Sequence, residues 1–316
     1  MSIKTDIQEL MQELFDDDLG DALGVKADAQ SLFQELFDED LVDEGIAQTM
    51  TYHSAAVSTD VTYDPERGIE IAFPTDIATV EGWYEARLID SPPANGANLA
   101  SWEDESGNSR TATGSSALFY STGAHLIGGQ PSVYLDGTDG EHYTIADFSY
   151  SLSTGIWCYA VVRRTDDVDD TTAIIGHYDI SSQRSWTVRT NGDGAGSFAL
   201  NGEASKTGST TSKELDGGTF TDDTPYLLEI HLAPTLDGST GYVNGTEVTF
   251  VGGFDNGGTL HDSTSALTIG ISLNGASPTT QRFKGDIAAI VWGAGVLTTA
   301  EKLLMRSYFD EYYDIL

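Results

Sequence analysis

Cysteine is almost missing from this chain: among 316 residues there is one, Cys158. It has no partner within the chain, so no internal disulfide can form and nothing points to oxidative folding. Its setting, Gly155-Ile-Trp-Cys-Tyr-Ala-Val-Val, reads as a buried strand in which the thiol is a small core group. Long apolar runs are missing too. None approaches the ~20 residues that a membrane helix requires, which argues against membrane insertion. The start, Met1-Ser-Ile-Lys-Thr-Asp, turns acidic within a few residues and lacks the apolar core of a signal peptide. The expectation is synthesis and folding in the cytoplasm.

Positive charge is scarce. Fifteen Lys and Arg face 50 Asp and Glu, a formal charge of −35. Such a surface repels nucleic acid and anionic membranes, so no nucleic-acid partner is expected. Three readings of the charge stay open: a halophilic adaptation to high salt, calcium binding, or solubility at high local density. The six histidines show no metal-ligand spacing, and no serine sits in a nucleophile elbow.

Glycine is plentiful at 34 residues, and helical periodicity is confined to the two ends. The expected fold is therefore mainly β, with many turns. Candidate strands are Ile156–Arg164, Ser185–Arg189, Tyr226–Leu232 and Leu267–Ile271. Tyr242-Val-Asn-Gly-Thr-Glu-Val reads as a hairpin, with Asn244-Gly245 suited to a type I′ turn. Near the end, Phe283, Ile287, Ile290 and Trp292 mark a buried strand. Thr298 or Thr299 can cap a following helix whose apolar face carries Leu303, Leu304, Tyr308 and Tyr312.

Residues 1–48 differ from the rest. They hold 14 acidic residues and no proline, and Gln12-Glu-Leu-Phe-Asp-Asp-Asp-Leu19 returns 22 residues later as Gln34-Glu-Leu-Phe-Asp-Glu-Asp-Leu41. Each copy ends a short amphipathic helix, too small to bury its apolar face alone. Either the pair docks on a partner through Leu10, Leu14, Phe15, Leu36 and Phe37, or it packs on the chain's own body. Residues 49–80 read as a small β element and 81–316 as the main domain.

Four motifs in order carry a family resemblance: Gly82-Trp-Tyr, then Trp102-x-Asp104-x-Ser106-Gly107-Asn108, then Leu135-Asp136-Gly137-Thr138-Asp139, then Phe283-x-Gly285-Asp286-Ile287-Ala288. This order resembles concanavalin-A-like lectin/glucanase domains of the laminin-G-like type, as found in tailed-virus structural proteins. The resemblance implies an antiparallel β-sandwich, or jelly roll, closed by a C-terminal helix. It also implies calcium at a rim loop, for which Asp136, Asp139 and Glu141 are the candidates, although Asp-Gly also serves as plain turn chemistry. Sugars on such folds meet rim aromatics and amides. The candidates for ligand binding here are Tyr178, Trp186, Phe254, Asp255 and Asn256. Glucanases of this fold carry paired carboxylates along one strand. No Glu-x-Asp-x-x-Glu run exists here, so no enzyme is expected and no catalytic residue is assigned.

The resulting expectation is a virion protein: a fibre, decoration or adhesin subunit. It would be anchored to other virion proteins through residues 1–80 and would be homo-oligomeric. It would display its sandwich to a host-surface glycan or envelope. A non-viral carbohydrate-binding module and a glycoside hydrolase are the alternatives.

Overall fold

The computed structural model describes Thr62–Asp64, Ile69–Ile71 and residues 73–316, apart from short loop segments at 115, 139–140, 166–170, 193–195, 209–212, 235–237, 253–258 and 275–276. The chain divides into two compact units, and every described residue belongs to the second, Ala55–Asp64 with Ile69–Leu316. The repeated acidic segment and its docking residues Leu10, Leu14, Phe15, Leu36 and Phe37 lie outside the described residues.

The body is a sandwich of two antiparallel sheets, as the sequence pattern implies. The described strands form one sheet of nine and one of eleven, and Thr62–Asp64 pairs with Ile69–Ile71 in a separate hairpin. At the centre of the nine-stranded sheet, Ile156–Arg164 lies between Tyr226–Leu232 and Lys284–Ala294. Its residues alternate between two cores. Ile156, Cys158, Ala160 and Val162 point to the other sheet, while Trp157, Tyr159 and Val161 point to the C-terminal helix. Burial on both faces is why this strand reads as an unbroken apolar run rather than an alternating one.

The closing strand is irregular in a useful way. Its register against Ile156–Arg164 shifts between Val161 and Val162, leaving Ala288 bulged. Ile287 and Ile290 consequently share the inter-sheet core, although they are three positions apart, while Ala288 and Ala289 both face the helix. Gly285 precedes the bulge at φ 145°, and a Cβ there would lie 2.1 Å from the Arg163 carbonyl oxygen. Only glycine fits that approach.

The helix Thr299–Tyr313 is capped by Thr298. Its Oγ1 accepts from the Glu301 amide at 3.2 Å, and the Glu301 carboxylate accepts from the Thr298 amide at 2.7 Å. The buried face carries Met305, Tyr308, Phe309 and Tyr313. This corrects the expected face, because Leu303 is 56 % exposed. Polar anchoring decides the rotation. The fully buried Glu85 carboxylate accepts from Trp83 Nε1 (2.9 Å), Arg87 Nε (2.8 Å), Tyr308 Oη (2.6 Å) and Tyr313 Oη (2.9 Å). Only a helix turned to present both tyrosines satisfies it. Glu229 pins the same helix through Arg306 Nε at 2.8 Å. Among the described residues no helix is long and apolar enough to cross a membrane.

Candidate functional site

The eleven-stranded sheet supplies the site. Along Gln183–Gly192, Trp186 and Val188 face the core, so Thr187 and Arg189 face outward. Along Ser197–Gly208, Leu200 and Ala204 face the core, so Asn201 and Glu203 face outward. Register then brings the outward residues together, with Arg189 opposite Asn201 and Asn201 opposite Asp216. On Thr171–Asp179, a register irregularity between His177 and Tyr178 turns Tyr178 outward beside Arg184, while His177 faces the core opposite Trp186.

These residues form one polar network. Glu203 accepts from Tyr178 Oη and from Arg189, with Arg184 Nη1 3.5 Å away. Arg189 Nε donates to Asn201 Oδ1 at 2.8 Å, and Asn201 Nδ2 donates to Asp216 Oδ1 at 2.6 Å. Thr171 Oγ1 donates to Asn191 Oδ1 at 3.1 Å. A cavity of about 300 Å³ opens on it, lined by Thr171, Tyr178, Ile180, Arg184, Arg189, Glu203 and Gln281. That volume is at the lower end of the ~300–1,000 Å³ typical of small-molecule sites. All but one of the lining side chains are polar. Such a site offers hydrogen-bond donors and acceptors held rigid by one another, and little apolar surface.

The residues expected from sequence are dispersed. Tyr178 lines this cavity, but it is 1 % exposed and its hydroxyl is held by Glu203, so its ring is no open stacking platform. Trp186 is corrected: it is fully buried, its ring centroid 5.2 Å from that of Trp292, and its Nε1 donates to Tyr150 Oη at 2.6 Å. It belongs to the core with Val188, two positions further along the strand. Phe254, Asp255 and Asn256 lie outside the described residues, as does Asp139.

Asp136 and Glu141 do meet. The Asp136 amide donates to the Glu141 carboxylate, and Asp136 Oδ1 accepts from the Thr138 amide at 2.8 Å. Burial foremost, helped by the neighbouring Asp136, pushes the Glu141 carboxyl up to about 7. Calcium takes six to eight oxygen ligands. Among the described residues no group of three or more His, Cys, Asp or Glu could hold a metal ion, and the third candidate, Asp139, lies outside them.

The turn motif is structural. Asp104 accepts from the amides of Trp83 (3.1 Å), Ser106 (3.0 Å) and Arg110 (2.9 Å). Asn108 Nδ2 reaches the carbonyls of Val80 and Glu81. Together they staple the turn to the strand Val80–Glu85.

No family model matches the chain, and no curated protein sequence does. Solved structures do. Trypanosoma rangeli sialidase in complex with sialic acid aligns with 93 % of this chain and 39 % of its own, at 14 % identity and a TM-score of 0.49. Domain 4 of AbnA, a GH43 extracellular arabinanase from Geobacillus stearothermophilus, in complex with arabinotriose, aligns with 74 % of this chain and 98 % of its own, at 15 % identity and a TM-score of 0.47. The chain thus spans about two fifths of the sialidase.

The expectation of a non-enzyme is corrected to this extent: the similar structures are a sialidase and a domain of a GH43 arabinanase, and the likeness is one of fold. Glu203 and Asp216 reach the same sheet face from two adjacent strands, a pairing that depends on register and is not written along either strand alone.

Proposed function

We propose that this chain is a glycan-contact module that binds a sugar in the cavity lined by Glu203, Arg189 and Tyr178. The observation that carries this reading is the cavity itself. Its polar side chains are fixed by mutual hydrogen bonds, and preorganised donors and acceptors are what hydroxyl-rich ligands require. The finer reading places the module on a virion. There the acidic repeat of residues 1–48 docks it to other particle proteins, in a homo-oligomer, and the sandwich meets host-surface glycan. The exact repeat of the Gln-Glu-Leu-Phe-Asp run supports that part.

A glycan array probed with the wild type and with Arg184→Ala tests the first part. Binding by the wild type that the variant loses is expected, with the variant still melting cooperatively and its melting temperature lowered by the loss of the 3.0 Å bond from Arg184 Nε to the Ile180 carbonyl. Absence of any glycan binding overturns the reading. Release of reducing sugar from the bound glycans would extend it from contact to hydrolysis. Co-sedimentation with particles from an infected lysate, lost on deletion of residues 1–48, tests the second part.

A further inference from the structure

Two anomalies coincide at Gln281. Its backbone is left-handed at φ 53°, a region that a glutamine enters only at a cost. Its side-chain Oε1 is buried and accepts no hydrogen bond. A buried acceptor left unmade is itself destabilising. Both anomalies belong to a residue that lines the cavity. The backbone is held in place from outside: the Ala173 amide donates to the Gln281 carbonyl at 2.8 Å, and Ala173 bridges to Arg282. Glycine would take this φ without strain and would leave no unmade acceptor.

We infer that Gln281 is the residue by which the cavity reads its ligand, its Oε1 accepting a hydrogen bond from one hydroxyl of a bound pyranose. The inference rests on the glycan reading of the same cavity. Among the lining side chains, the Glu203 carboxylate takes Tyr178 and Arg189 and the Thr171 hydroxyl is bonded to Asn191, while Gln281 Oε1 has no partner among the described residues. Gln281 Oε1 is therefore the lining acceptor that the protein leaves for a ligand hydroxyl. A site that hydrogen-bonds a substrate hydroxyl rejects the analogue lacking it, because its own polar group stays buried and unpaired. Discrimination between a sugar and its deoxy analogue accordingly falls to this residue.

The test compares wild type, Gln281→Gly and Gln281→Glu. Each is measured by thermal melting and by titration with the best monosaccharide from the array and its monodeoxy analogues. Gln281→Gly is expected to melt at or above the wild-type temperature and to bind about tenfold more weakly, the loss of one well-made hydrogen bond. For one deoxy analogue, wild type and variant should bind equally. Gln281→Glu keeps an acceptor at this position and should retain binding to the parent sugar. A lower melting temperature with unchanged sugar affinity would mean that Gln281 serves the fold, and the inference fails while the glycan reading stands. No sugar binding by the wild type overturns both.

Discussion

Glu141 holds its proton to about 7, against 4.5 for the free side chain, because burial penalises its charge and Asp136 sits beside it. Between those values the folded state carries a proton that the unfolded state has released. The resulting stabilisation is present below 4.5 and lost as pH rises through about 7. Asp136 is shifted down from 3.8, so its own linkage acts below that window. His142, His177 and His231 are depressed by burial and push the other way, gaining stability as the unfolded state deprotonates. The clean measurement is therefore a difference. The melting temperature of wild type minus that of Glu141→Gln should fall steadily from pH 5 to pH 7.5, and a pH-independent difference would refute the assignment. Calcium separates the two uses of this turn. If Asp136, Asp139 and Glu141 bind it, calcium should raise the melting temperature more at pH 8 than at pH 5.5, since the metal needs the deprotonated carboxylate.

At the scale of elements, the C-terminal helix is held by two kinds of contact of different size. The capping box satisfies amides at one exposed end. Thr298→Ala should lower stability by about 1 kcal/mol, measured by urea denaturation. Glu85 sits at the middle of the helix–sheet interface with no exposure and four donors. Glu85→Ala leaves both tyrosines, Trp83 and Arg87 without their acceptor and should lower stability by about 3 kcal/mol or more. Equal losses from the two variants would contradict this ranking. The same contrast explains what the sequence disclosed. Ile156–Arg164 and Tyr226–Leu232 were legible to their ends, because apolar residues crowd both faces. The hairpin at Asn244-Gly245 was legible because both residues take positive φ, 48° and 71°. The strands Ser197–Gly208 and Lys213–Thr221 were missed, since glycines and polar outward residues dilute their alternation. The helix face was misjudged because Leu303 is apolar, and the buried carboxylate that sets the rotation lies more than 200 residues away, at Glu85. The cavity was illegible for a like reason. The outward alternation of Arg189, Asn201 and Glu203 is visible in each strand alone, but their meeting depends on register between strands.

For the whole molecule, the scarcity of positive charge is more acute than the composition suggests. Arg87, Arg163, Arg164, Arg189 and Arg306 are turned to carboxylates inside the fold, at Glu85, Asp286, Asp222, Glu203 and Glu229. Each of these carboxylates is at most 8 % exposed at its side chain, so the pairs hardly dilute the field outside. The remaining surface carries the acidic excess of a chain at −35. Self-repulsion of this kind opposes the compact state and is relieved by screening. The Debye length shrinks from about 30 Å at 0.01 M salt to about 3 Å at 1 M, which removes repulsion between surface carboxylates while leaving the buried pairs nearly untouched. The melting temperature should therefore climb with sodium chloride across that range, most steeply at the dilute end where screening changes the most distant pairs. Partial neutralisation at pH 5 should shrink the climb. A melting temperature that stays flat or falls with salt would mean that the acidic surface is spaced widely enough to cost nothing, and solubility rather than salt adaptation would then account for the charge.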